Sequence, residues 1–120
     1  MLQIIDKYGC DSFRYYVLSS VTYGADLNFA EAALVSMHNS ELADVLGNLI
    51  HRGINLCIKY CDGVIPDVPH DEKFPLPFDI EVLDSAIRDD MTSCSLNLAI
   101  LKTMDAVRAT NRYAFVLVSS

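Results

Sequence analysis

Between Ser40 and Tyr60 the sequence carries two stripes at once, and this double pattern limits the fold more than any other feature. Leu42, Val45, Leu46, Leu49, Leu56, Cys57 and Tyr60 follow the 3–4 rhythm of an apolar helix face. Glu41, Asp44, Asn48, Arg52, Asn55 and Lys59 recur at the same steps and are polar throughout, so they form a second face. The spacing predicts one long amphipathic helix, stopped by Asp62-Gly63.

The flanking segments follow the same period. Leu2 to Tyr8 reads as a short helix ended by Gly9, and Asp11 is placed to cap a second one through Leu18. Gly24-Ala25-Asp26 breaks the pattern; Asn28 then caps a short helix through Leu34, and Asn39-Ser40 starts the long one. All four prolines, Pro66, Pro69, Pro75 and Pro77, fall in residues 64–78, an expected surface connection. Asp79 begins a helix with Ile80, Leu83, Ile87 and Met91 apolar, and a last helix from Ser95 to Tyr113 turns Leu96, Ile100, Met104 and Val107 inward. Ala114 to Val118 is an apolar run without a polar face. It extends the last helix into a partner, or forms a frayed or strand-like end that stays sticky unless covered. No repeat, alternating strand pattern or βαβ rhythm occurs. The expected fold is all-α, a helical bundle in a single domain over residues 1–120. Its parts are junction helices over 1–20, a main helical hairpin over 28–61, a loop over 62–78, two helices over 79–113 and a tail over 114–120.

Composition sets limits on function. The chain has 120 residues, 52% hydrophobic, which excludes a disordered tail. A compact chain of this size is expected to bury roughly 65–70% of its unfolded surface. No apolar run approaches the roughly 18 residues of a membrane span, and the start, Met1 to Asp6, lacks the basic region of a signal peptide. A cytoplasmic protein with no membrane contact is expected. The formal charge of −7 argues against a nucleic-acid binder, yet residues 62–90 alone hold two basic and nine acidic side chains. The remainder is neutral, so a face turned away from that stretch tolerates RNA, with little long-range steering. The four cysteines, Cys10, Cys57, Cys61 and Cys94, fit no disulfide framework. Cys57 and Cys61 stand one helical turn apart, but without a CxxC pair buried thiols are expected rather than a metal.

No phosphate-binding glycine loop, nucleophile elbow or HExxH motif is present. His38, His51 and His70 are scattered, and Glu31, Glu41, Asp44, Asp71-Glu72 and Asp89-Asp90 read as solvated charge. No catalysis by this chain is expected. Asn48 and Arg52, one turn apart, are the informative pair. An amide that donates and accepts, beside a rigid fork of donors, suits the edge of an unstacked base. On spacing alone the pair better fits a solvated face with a capping or inter-helix hydrogen bond.

Tyr8-Gly9-Cys10-Asp11-Ser12-Phe13-Arg14-Tyr15-Tyr16-Val17-Leu18 resembles the Tyr-Gly-x-Asp-x-x-Arg-Tyr-Tyr-x-Leu segment of methionyl-tRNA synthetases, which leads into their anticodon-binding bundle. Further matches follow in order: Gly24-Ala25-Asp26 with Asn28-Phe29, then Asn39-Ser40-Glu41-Leu42-Ala43, then Leu46-Gly47-Asn48-Leu49-Ile50-His51-Arg52. Lys59-Tyr60-Cys61-Asp62-Gly63-Val64-Ile65-Pro66 and the weaker Asn111-Arg112-Tyr113 complete the set. Leucyl, isoleucyl and valyl synthetases share parts of it.

The resemblance implies that Asn48 and Arg52 hydrogen-bond anticodon bases, and that Asp44 occupies a position often held by asparagine. It implies tRNA of the methionine type as partner, through a CAU anticodon. The parent reaction would be ATP-dependent attachment of methionine, with ATP and magnesium bound in a catalytic domain whose HIGH and KMSKS motifs this chain lacks. No cofactor is expected in the chain itself, which reads as a piece of a longer synthetase or a shortened relative. The family's base-stacking tryptophan would fall at Ser120, and the chain has no tryptophan; a stacked base is worth roughly 1–3 kcal/mol. The alternative expectation is a standalone helical interaction or dimerisation module that has lost tRNA binding, with a protein covering the apolar tail.

Overall fold

The computed structural model describes residues 2–65, 67 and 76–119, and every described element is helical. Pro66 and the segment 68–75, with Pro69, His70, Asp71, Glu72 and Pro75, lie outside the described residues, so most of the expected proline connection does too. The elements are α1 (Leu2–Tyr8), α2 (Cys10–Ser20), α3 (Glu31–Met37), a π-helical segment (His38–Gly47), α4 (Asn48–Cys61), α5 (Ile80–Thr92) and α6 (Leu96–Ser119).

Gly9, at φ 83°, turns the chain between α1 and α2, a conformation that side chains with a Cβ resist. The expected cap at Asp11 is not made: Asp11 sits inside the first turn of α2, exposed, 3.3 Å from Arg14. Asn28 does not cap either. Phe29 packs edge-on against Tyr16 at 5.6 Å, and the Ala30 N–H donates to the Tyr16 hydroxyl at 3.4 Å, so the helix starts where this cluster holds the backbone.

The larger correction concerns residues 28–61, which form no hairpin. Met37, His38, Gly47 and Asn48 all keep right-handed helical angles, so α3, the π-helical segment and α4 make one rod from Glu31 to Cys61. At helical rise such a rod is about 45 Å long, nearly the full 49 Å of the molecule. Asn39-Ser40 favours a cap locally, but helix propagation and tertiary anchoring on both sides prevail. The anchors are specific. Glu41, taken in sequence for solvated charge, is half-buried; it accepts from the Tyr15 hydroxyl at 2.9 Å and pairs with Arg108 of α6. Burial and the Glu41 carboxylate together push the Tyr15 phenol well above its ordinary range, so it stays a donor. One turn on, Asn111 Nδ2 of α6 donates to the Val45 carbonyl at 2.9 Å.

The rod ends as expected: Asp62 and Gly63 adopt positive φ, and the Gly63 N–H returns to the Cys57 carbonyl at 3.1 Å. Asp79 also does what its position implies, accepting from Glu81 N at 3.0 Å and Val82 N at 3.1 Å to cap α5. α6 continues through the apolar run to Ser119 rather than stopping at Tyr113.

α5 packs on α6 as a hairpin, and α2 crosses both α6 and the rod. Among the described residues the buried apolar core is small: Tyr16, Leu34, Ala99 and Met104. A second correction lies here, because Asp90 is buried, and Lys102 Nζ meets its carboxylate at 2.5 Å. With Lys102 at 40% exposure and able to turn to water, Asp90→Ala is expected to cost about 1–2 kcal/mol, less than a fully enclosed pair. Urea unfolding of the variant checks this.

The molecule is open. Its radius of gyration is 17.4 Å, against about 14 Å for a compact chain of this length. The accessible surface is 8910 Å², so only about 54% of the unfolded surface is buried, below the expected share. The reason is visible on the rod. Leu42, Val45, Leu46, Leu49, Leu56 and Cys57 are only half-buried, Tyr60 is exposed, and a further row, Ile50, Ile54 and Ile58, stands open at 53–57% exposure. Ile80 and Met91 of α5 are exposed as well. All four cysteines are free thiols, and Cys10 and Cys94 are exposed rather than buried. No helix among the described residues is long and apolar enough to cross a membrane.

Candidate nucleic-acid interface

α4 presents its polar residues at steps of three and four, and the rod holds them on one face beside α6. Asn48, His51, Arg52, Asn55, Leu56 and Lys59 line a hollow of about 270 Å³. Arg52 is half-buried, and its Nη1 donates to the Asn111 carbonyl of α6 at 3.4 Å. The guanidinium is thus braced across the helix junction with donors left over.

Asn48 is exposed, but its amide is partly committed. The Asn48 main-chain N–H donates to Val45 O, three residues back, and Nδ2 takes Asp44 O, four residues back, at 2.6 Å. The side-chain oxygen and the second amide proton remain for a ligand. Asp44 contributes that carbonyl; its exposed carboxylate lines neither this hollow nor the one beside it. His51 and Asn55 sit within 3.0 Å of one another along the same face.

A second hollow, of about 460 Å³, adjoins the first and shares Arg52 with it; Asn111, Arg112 and the exposed Phe115 complete its wall. Sequence spacing did not bring α6 here. Asn111 carried a weak motif match and Phe115 looked like part of a tail, while Arg112 had no signal of its own. Asn111 fixes the junction: Nδ2 holds Val45 O, its carbonyl receives Arg52, and its buried Oδ1 has no hydrogen-bond partner.

The charge arrangement is selective. Among the described residues, Lys7, Arg14, Arg88, Lys102 and Arg108 each pair with a carboxylate. Arg52, Lys59 and Arg112 pair with none, and all three line these two hollows. Among the described residues of a chain of net charge −7, the cations without a carboxylate partner therefore gather on one face. Among the described residues no group of three or more His, Cys, Asp or Glu is arranged to hold a metal. Ser12 Oγ and His38 Nδ1 meet at 3.0 Å, and among the described residues no carboxylate hydrogen-bonds to the imidazole.

Residues 1–54, which include Asp44, Asn48 and Arg52, match the family described as tRNA synthetases class I (M). A methionine–tRNA ligase of Synechocystis is 34% identical over 116 residues, covering 93% of this chain and 22% of that protein. One from Halalkalibacterium halodurans is 34% identical over 92% of this chain and 17% of its own length. The corresponding enzyme of Caldanaerobacter subterraneus is 33% identical over 92% and 18%. No solved structure matches the chain. The chain is thus similar to the class I tRNA synthetase family. Within it, the chain is similar to one segment of the methionine–tRNA ligases, spanning about a fifth of their length.

Proposed function

We propose that this chain is the tRNA-contacting, anticodon-reading part of a methionine–tRNA ligase, with Asn48 and Arg52 meeting unpaired bases and no chemistry performed by the chain itself. The observation that carries the proposal is that Asn48 and Arg52 share two adjoining hollows with Lys59 and Arg112, the other described cations without a carboxylate partner. A braced guanidinium and a half-free amide suit base edges, which in RNA are accessible only where strands are unpaired. The parent reaction, joining methionine to tRNA at the expense of ATP, belongs to residues this chain does not contain. Asp44 acts through its carbonyl, holding Asn48, and its carboxylate stays clear of the strand.

The test is titration of the chain with an RNA stem-loop carrying a CAU anticodon and with one of equal length and altered loop. Tighter binding of the CAU loop is expected; equal affinity would refute base reading by this face. A dimerisation module is the competing function, favoured by the open row Ile50, Ile54 and Ile58. A dimer by size measurement, with no salt-dependent RNA binding, decides for it.

A further inference from the structure

We infer that Lys59 and Arg112 are phosphate-holding residues on either side of Arg52, so that one RNA strand runs from the face of α4 onto α6. The inference rests on the base-reading role of Asn48 and Arg52 for the identity of the strand, but on separate residues. Lys59 and Arg112 are exposed and carry no carboxylate partner, unlike the cations elsewhere on the described surface. Each lines a different hollow, and Arg52 is the residue common to both. Lys59 lies seven residues beyond Arg52, about 10 Å along the rod, with its ammonium over the Tyr60 ring at 4.9 Å. Arg112 follows Asn111, the residue that braces Arg52 from α6.

The division of labour follows from how each cation is held. Arg52 is anchored, which suits the fixed geometry of a base edge. Lys59 and Arg112 have long stems in solvent, which suits phosphates, whose contacts set position and add no sequence information. The carboxylates of Asp44, one turn before α4, and Asp62, just after it, line neither hollow, and the charged residues that the described linings do hold are Arg52, Lys59 and Arg112.

Affinity of the 120-residue chain for the two stem-loops, measured between 50 and 200 mM salt, tests this. Lys59→Gln and Arg112→Gln are each expected to weaken both loops by the same factor. Each should also reduce the slope of log affinity against log salt by about 0.7, the loss of one single-strand phosphate contact. Arg88→Gln removes the same charge from α5, where Arg88 pairs with Asp84, and is expected to leave the slope unchanged. Unchanged slopes in both variants, with CAU preference intact, overturn the phosphate role and leave base reading standing. Lowered slopes without any CAU preference overturn base reading and leave the phosphate path. An equal drop in Arg88→Gln reduces the effect to net charge and overturns the inference, as does absence of RNA binding by the unaltered chain.

Discussion

Arg52→Ala is expected to lower affinity for the CAU stem-loop roughly ten- to hundredfold, the 1–3 kcal/mol of a good base contact, while affinity for the altered loop changes little. The reasoning is geometric. Arg52 is the residue shared by both hollows, and its contact with the Asn111 carbonyl leaves the rest of the fork directed into them. Arg52→Lys keeps the charge but loses the fork, and is expected to restore salt dependence without restoring discrimination. If Arg52→Ala binds both loops as the parent chain does, the guanidinium is a brace between helices and not a reader. Thermal melting of the same variant separates the two roles, since loss of one 3.4 Å contact to a carbonyl should cost no more than about 1 kcal/mol of stability.

Leu34→Ala is expected to be the most damaging single truncation, at about 3 kcal/mol and a fall in melting temperature of about 12 °C. Leu34 is 0% exposed, the most enclosed large side chain among the described residues, where the start of the rod meets α2. With so few enclosed residues, the surrounding side chains have no second layer from which to fill the cavity. Ile54→Ala provides the contrast. Ile54 is 55% exposed, and its truncation is expected to change stability by less than about 0.5 kcal/mol. Comparable losses in the two variants would mean that the open row on α4 is covered in solution, and the chain should then be sized for self-association.

Much of this was legible from residue order alone. The all-α class, the stop at Asp62-Gly63, the cap at Asp79 and the common face of Asn48, Arg52, Asn55 and Lys59 are all local consequences of helical geometry. A period of 3.6 residues places side chains around an axis, and capping residues act within one turn of themselves. These relations need no knowledge of the rest of the chain.

The side of each helix that meets a neighbour is not local, and the larger corrections fall there. Asn39-Ser40 reads as a start, yet Glu41 and Val45 are held by Tyr15, Arg108 and Asn111, partners at least 26 residues away, and the helix runs through. Asp90 reads as solvated charge until Lys102 encloses it from the next helix. Tyr60 reads as part of the buried stripe and stands open, beside the exposed row Ile50, Ile54 and Ile58, because α5 packs on α6 instead of on the rod. The candidate site follows the same division: residue order supplied Asn48 and Arg52, and only the packing of α4 beside α6 added Arg112 and Phe115 and made Arg52 common to two hollows. Periodicity encodes the faces of a helix, whereas the choice of partner for each face depends on contacts between residues far apart in the chain.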